Sequence, residues 1–222
     1  MEALTFDRGN HPDQDLSTLI GVMIAAWMAM QVKAGGLMWA SPECKTWLSF
    51  LSRATFQRAW GPFNILGNGK HVIAETANTT SVVLAWLVSL CVTRSVYIAV
   101  EQPINSMLYH VPCLSHSLIL ADARRMVTRL GDFGGKSSKP LELYLNVPNS
   151  IADSQLRATK RKGTKRKLTS LAPTHGMWVN GNKSALAESA AYPSEFARAI
   201  AELARLCVAL ECGGPAEVSE NS

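Results

Sequence analysis

Three polar side chains of this chain follow short apolar segments that are typical of β-strands. Asp7 follows Leu4–Phe6, Cys44 lies just beyond Leu37–Ala40, and Glu101 follows Ser95–Val100. A thiol can act as a nucleophile, and a carboxyl group can hydrogen-bond a substrate or exchange a proton with it. Because such groups collect at the carboxyl edge of parallel strands, the pattern predicts that the three share one rim. Taken singly, a lone cysteine usually only packs, and a strand-end acid often caps a helix.

Helix-like and strand-like segments alternate along the chain and must position these groups. Helices are predicted at Ser17–Val32, at Asn78–Cys91 and after Pro193. Further strands are predicted at Met126–Leu130 and Leu141–Leu145, joined by a glycine-rich turn at Gly134-Gly135. The second helix is apolar on every side, so we expect it to be fully covered. The alternation predicts an α/β, Rossmann-like fold: a mostly parallel sheet with helices on both faces.

Four segments resemble, in order, the motifs of cytosine-C5 DNA methyltransferases. They are Ala40-Ser41-Pro42-Glu43-Cys44 for the Pro-Cys loop, Glu101-Gln102-Pro103 for the Glu-Asn segment, Phe133-Gly134-Gly135 to Leu145-Asn146 for the Tyr-Gly turn and the strand after it, and Tyr192 to Ala201 for the closing helix. Order and rough spacing hold from Asp7 to Ala204, which is most of the chain. The chain therefore resembles a divergent, truncated member of that family.

The resemblance implies a role for each residue that matches. Cys44 would be the thiolate that attacks C6 of a cytosine ring, and Glu101 would hydrogen-bond or protonate the ring at N3. The methyl group would come from S-adenosylmethionine. In the cofactor site, Asp7 would bind the ribose, Asp15 would face the adenine, and Pro42 would contribute a further contact. A base in a duplex would have to leave its stack to reach Cys44.

The chain also departs from the pattern of that family. Only six residues precede Asp7, so the first strand and glycine loop expected before it are missing. The family's second proline is Glu43, whose charge should raise the pKa of the neighbouring thiol, and Lys45 would partly offset this. Lys136 and Lys139 stand where the family has arginines that contact nucleic acid. We therefore expect a degenerate cofactor site.

Two function hypotheses follow from the resemblance and the departures. The first is an S-adenosylmethionine-dependent, cytosine-C5 methyltransferase-like protein that acts on nucleic acid. The second is a non-catalytic relative that retains the fold and serves as a binding or assembly subunit, with another protein as its partner.

A basic direct repeat suggests a third hypothesis, a module that binds nucleic acid through this loop alone. The stretch 157–167 carries seven positive charges, which leaves −2 for the rest of the chain when subtracted from the net +5. Such a stretch could contact phosphates, act as a nuclear-import signal, or be an exposed, solvated loop. The repeat residues that would contact nucleic acid are Lys160, Arg161, Lys162, Lys165, Arg166 and Lys167.

Composition narrows the class of protein. With 47% hydrophobic and 18% charged residues the chain is typical of globular proteins. Its five cysteines are odd in number and widely spaced, which favours a reducing, intracellular location over a disulfide scaffold, and no histidine–cysteine pattern indicates a metal site. We expect no signal peptide at the N-terminus. The uncharged stretches Leu16–Val32 and Thr76–Thr93 are explained by buried helices, so no membrane span is favoured.

These features divide the chain into four parts. Residues 1–150 form the methyltransferase-like α/β core, and 151–185 form the basic loop or a remnant of a target-recognition segment. Residues 186–213 form the closing helix, and 214–222 form a tail without predicted structure.

Overall fold

A computed structural model describes residues 3–48, 53, 55–59, 64–136, 138–157, 169–172, 176–179 and 192–213 of the chain. Five helices are defined within these ranges: α1 Leu19–Gln31, α2 Val72–Thr93, α3 Pro112–Leu120, α4 Asn149–Leu156 and α5 Ser194–Glu211. The strands are β1 Leu37–Ala40, β2 Tyr97–Pro103, β3 Arg124–Arg129, β4 Pro140–Leu145, β5 Thr169–Ala172 and β6 Gly176–Val179. Two short 3-10 helices span Met107–His110 and Leu130–Phe133.

The first four strands form one mixed sheet in the order β1-β2-β4-β3. β1 and β2 are parallel, with Ala40 opposite Val100, whereas β4 runs antiparallel to both β2 and β3. The prediction of a mostly parallel sheet is therefore wrong. Only ten residues join β3 to β4, which is too short for the crossover that parallel neighbours need. Gly134 makes this turn with a left-handed φ of 80°.

Helices cover both faces of this sheet, as predicted. β2 is one of the two central strands, and its side chains alternate between two apolar clusters. Ile98 and Val100 point to the cluster that contains α1, α2 and α3, whereas Ala99 points to the cluster that contains α4 and α5. Residues of β2 such as Ile98, Ala99 and Val100 are completely buried for this reason.

The predicted helices and strands of the core are present, with two corrections. Residues Leu4–Phe6 form no strand, although Phe6 packs against the core. α2 is longer than predicted and is not covered on every side, because Val82 and Trp86 on its outer face remain about half exposed. α2 is also long and apolar enough to cross a membrane by length and composition, and a third of its apolar window is buried inside the protein.

The remaining strands lie in the segment that carries the basic repeat. β5 and β6 pair antiparallel with each other in a separate two-stranded sheet, from Thr169 opposite Val179 to Ala172 opposite Gly176.

Candidate functional site

The parallel pairing of β1 with β2 places two polar residues side by side at one edge of the sheet. Ala40 lies opposite Val100, so the next residues along each strand, Ser41 and Glu101, are neighbours. The Ser41 hydroxyl donates a hydrogen bond of 2.5 Å to Oε2 of Glu101. The carboxyl group is almost completely buried, with 3% of Glu101 exposed. The site therefore begins with a buried acid fixed by a serine from the neighbouring strand.

Tyr192 supplies the second partner of this carboxyl group from just before α5. Its hydroxyl oxygen lies 2.9 Å from Glu101 Oε2 and 2.9 Å from Ser41 Oγ. The ring is fixed by an edge-to-face contact with Phe196 on the first turn of α5. Burial raises the pKa of the Tyr192 hydroxyl, and the charge of Glu101 raises it further, so this group acts as a hydrogen-bond donor. We call Ser41, Glu101 and Tyr192 the carboxyl cluster.

The other oxygen of Glu101 differs from Oε2 in its surroundings. Oε1 is buried and has no hydrogen-bond partner within the described residues. Buried polar atoms in folded proteins nearly always have a partner, which is a protein group, a water molecule or a ligand. Oε1 of Glu101 can thus accept a hydrogen bond, or donate one when it carries the acid proton, to a group outside the carboxyl cluster.

Cys44 lies in the loop after β1, close enough to Glu101 and Lys139 for their charges to act on it. The thiol is half-buried, and this burial is the main reason that its pKa is raised. The positive charge of Lys139 opposes the shift, whereas the negative charges of Glu101 and Glu43 add to it. At neutral pH Cys44 is therefore a thiol rather than a reactive thiolate. Cys44 and Glu101 thus lie toward the edge of the sheet where the neighbouring strands β1 and β2 end, and the charge of Lys139 acts on the same thiol.

Gln102 secures the loop that carries Cys44. Its side-chain amide donates to the carbonyl oxygen of Pro42 at 2.7 Å and accepts from the Ser106 hydroxyl at 3.0 Å. Gln102 is itself fully buried. The residue after Glu101 therefore fixes the residue two positions before Cys44.

The two aspartates predicted for the cofactor take part in local turns instead. Asp7 accepts a hydrogen bond from the Gly9 amide at 2.7 Å. Asp15 accepts from both the hydroxyl and the amide of Ser17, at 2.7 and 2.9 Å, and its other oxygen lies 3.4 Å from Arg8. The Ser17 hydrogen bonds lower the pKa of Asp15, and Arg8 contributes to this shift. These contacts fix the chain that leads into α1.

A cavity of about 250 Å³ opens beside the cysteine loop. Its walls come from Pro42, Glu43 and Lys45–Trp47 of that loop, from the first three turns of α2, and from Arg8 and Leu108; neither Cys44 nor Glu101 is among its lining residues. Pro42 lines it, but Asp7 and Asp15 do not. Arg8, which follows Asp7 in the chain and is the ion-pair partner of Asp15, does line this cavity.

The predicted nucleic-acid residues fall into two groups. Lys139 is near Cys44, and Lys136 is exposed at the β3–β4 turn. The remaining residues lie outside the described residues: Lys160, Arg161, Lys162, Lys165, Arg166 and Lys167. Within the described ranges, no group of three or more His, Cys, Asp or Glu side chains could hold a metal ion.

Sequence reasoning missed two of the three members of the carboxyl cluster. The sequence does carry a signal for Ser41. It is the first residue after β1, so it lies beside Glu101 once β1 and β2 pair in parallel. Tyr192 stood inside the segment that resembles the closing helix, but nothing in that segment predicts that its hydroxyl reaches Glu101. No protein-family model, curated protein or solved structure matches the chain.

Proposed function

We propose that the chain is a methyltransferase-like domain related to cytosine-C5 enzymes, and that its Cys44–Glu101 edge binds a cytosine base of nucleic acid. One observation carries this proposal: Glu101 is buried, fixed through Oε2, and has Oε1 without a partner in the described structure. A carboxylate oxygen can accept from the N4 amino group of cytosine, and a protonated carboxyl can donate to N3. Either hydrogen bond would satisfy Oε1.

Cys44 gives this edge a chemical capability in addition to recognition. A thiolate that adds to C6 of the ring makes C5 nucleophilic, and Glu101 draws charge from the ring as the bond forms. The charge of Lys139 favours the thiolate. With C5 activated, a deuteron from D2O bonds to it, a base removes the original proton, and the thiolate leaves. The net reaction replaces hydrogen by deuterium at C5 and needs no cofactor.

Methyl transfer is not part of this proposal. S-adenosylmethionine is the methyl donor that the resemblance implies, but Asp7 and Asp15 are engaged in turns and do not line the cavity at Pro42.

The test is exchange of the C5 hydrogen of cytosine in D2O, followed by mass spectrometry of a single-stranded oligonucleotide. We expect exchange with the full chain, none with Cys44→Ala, and a large reduction with Glu101→Gln. An oligonucleotide with adenine at the cytosine positions is the matched control for binding. Failure to bind the cytosine strand in preference to the adenine strand would contradict the proposal.

A non-catalytic binding or assembly subunit is the second candidate, and the electrostatics of Cys44 favour it. Burial, Glu101 and Glu43 all raise the pKa of the thiol, which is the wrong direction for a nucleophile. In that case cytosine binding would survive Cys44→Ala, and no deuterium would enter C5 with either protein. Loss of binding in Cys44→Ala, with folding intact, would argue against this candidate.

A further inference from the structure

The outer face of α1 is apolar where a surface helix is normally polar. Five large side chains on this face are between 47% and 76% exposed: Leu19, Ile20, Met23, Trp27 and Met30. The buried side of the helix carries only small residues, Gly21, Ala25 and Ala29. A surface helix usually buries its large apolar side chains and exposes charged ones. α1 reverses this arrangement, and no charged residue occurs from Leu16 to Val32.

The apolar surface continues onto α2, which packs against α1. Val82 and Trp86 are 55% and 47% exposed on the outer face of α2. α2 contacts both α1 and α3, so it lies between them. Only five residues join α1 to β1 and three join α2 to β2, which puts α1 on the β1 side of α2. The exposed helix therefore flanks the side of the sheet that ends with β1.

The two edges of the sheet differ in the way they are protected. β3 forms one edge and carries Arg124, Arg125 and Arg129, and charged side chains on an edge strand oppose pairing with another chain. β1 forms the other edge, with the sequence Leu-Met-Trp-Ala, and has neither charge nor proline. Within the described residues its only strand partner is β2. The open edge of β1 is thus able to accept a further strand.

We infer that these features form the interface between two copies of this chain. We call the five exposed side chains of α1, together with the open edge of β1, the apolar flank. A two-fold axis perpendicular to the sheet would run β1 antiparallel to the β1 of the second copy. The same axis keeps both α1 helices on one face of the joined sheet, where their outer faces meet. Such a contact is isologous, so one surface serves both partners.

The size of the apolar flank fits a second copy. At about 200 Å² for a fully exposed large side chain, the five residues of α1 expose roughly 600 Å², and with the β1 edge this falls within the roughly 600–1,000 Å² that each partner buries in an interface of standard size. An uncharged surface needs no complementary charges, so its own copy is a suitable partner. A four-residue strand also pairs with its own copy in antiparallel register without any further sequence requirement.

The experiment compares the full chain with two double variants by light scattering after gel filtration. Met23→Lys with Trp27→Lys places two charges on the apolar flank at positions already more than half exposed, so folding should be retained. Ile119→Lys with Leu120→Lys is the matched control on α3. These two residues are 72% and 68% exposed, respectively, and lie outside the apolar flank. We expect a dimer for the wild type and for the α3 variant, and a monomer for the α1 variant.

Amide hydrogen exchange provides a second measurement that does not depend on size. Protection of the β1 amides should be lost in the α1 variant and retained in the α3 variant, with circular dichroism unchanged in both. A wild-type monomer at all concentrations would overturn the inference. So would binding of that monomer to phosphatidylcholine vesicles that is lost in the α1 variant, because the flank would then be a membrane surface. A dimer that persists in the α1 variant, with unchanged β1 protection, would also overturn it.

Discussion

The hydroxyl oxygen of Tyr192 lies 2.9 Å from Oε2 of Glu101, although 91 residues separate the two in the chain. This contact joins the residue just before α5 to β2, and Oε1 of the carboxyl group has no hydrogen-bond partner in the described structure. The Glu101 carboxyl group is thus oriented by a tyrosine that lies far from it in the sequence, just before α5.

Removal of the Tyr192 hydroxyl should destabilise the protein measurably. Tyr192→Phe deletes one of the two donors to a buried carboxyl group, so we expect the free energy of unfolding to fall by about 1–3 kcal/mol. Urea denaturation measures this change. Tyr144→Phe is the control, since its hydroxyl makes no hydrogen bond in the described structure, and an equal loss in both variants would contradict the role of the Tyr192 contact.

The reactivity of Cys44 should depend on pH in a way that follows from its neighbours. Because burial raises the pKa of the Cys44 thiol, its alkylation by iodoacetamide should rise at higher pH in the folded protein than in the urea-unfolded chain. Lys139→Ala removes a positive charge and should raise the pKa further, whereas Glu43→Gln removes a negative charge and should lower it. Site-resolved mass spectrometry measures the rates. Equal pH midpoints for Cys44 in the folded protein and in the unfolded chain would contradict this prediction.

Stability should fall in alkaline solution because two core thiols must be exposed before they ionise. Burial raises the pKa of Cys91 and of Cys207 from 9.0 to about 11. The unfolded chain therefore loses these protons first, and the stabilisation present below pH 9 is lost as the pH rises toward 11. Each thiol contributes roughly 2–3 kcal/mol to this loss. Urea denaturation under reducing conditions should show a shallower pH dependence for Cys91→Ala than for the wild type, and an unchanged slope would refute the assignment.

Arg58 should not tolerate replacement by lysine. Its guanidinium group is buried over the Trp47 ring at 3.7 Å, and it donates to the carbonyl oxygens of Ile65 and Ala74 and to Asn78 Oδ1. Lysine lacks this planar fork, so Arg58→Lys should lower the free energy of unfolding by at least about 2 kcal/mol. The matched control is Arg94→Lys, an exposed arginine that also donates to carbonyl oxygens. Similar free energies of unfolding for the two variants would show that the buried guanidinium group of Arg58 is not required for stability.

The basic repeat should control the salt dependence of nucleic-acid binding. Replacement of its six Lys and Arg residues by Gln should weaken oligonucleotide binding and reduce the slope of log K against log salt by up to about 4. Neutralisation of the exposed Lys33 and Lys70 provides the comparison. Fluorescence anisotropy over a salt series gives both quantities. Affinity and slope that do not change in the six-residue variant would show that the repeat is not the phosphate-binding element.

The elements of this fold follow from local sequence, but the directions of its strands do not. Apolar runs bounded by Gly and Pro predict β1, β2 and β4 closely. The turn at Gly134 and Gly135 was the available signal that β3 and β4 form a hairpin, because ten residues leave no room for a crossover helix. The general alternation of helices and strands favoured a parallel sheet and obscured that local signal.

The candidate site could be predicted only for residues that come directly after a strand recognisable in the sequence. Cys44 and Glu101 follow strands that turned out to be parallel neighbours, so their common edge could be inferred. Asp7 and Asp15 could not be judged in the same way, since their hydrogen bonds to Gly9 and Ser17 compete with any ligand. The contact of Tyr192 with Glu101 depends on how α5 packs on the sheet, which no local pattern encodes.

The position of Tyr192 so late in the chain has a consequence for biosynthesis. All four strands of the main sheet have left the ribosome when Leu145 has emerged, but the tyrosine that completes the carboxyl cluster follows 47 residues later. Until then Glu101 has Ser41 as its hydroxyl donor, and the sheet face that α5 covers exposes Leu143 and its neighbours. A nascent chain that stops before residue 192 therefore exposes apolar side chains of this sheet face, to which chaperones can bind. The Glu101 carboxyl group reaches its final orientation only when Tyr192 is in place.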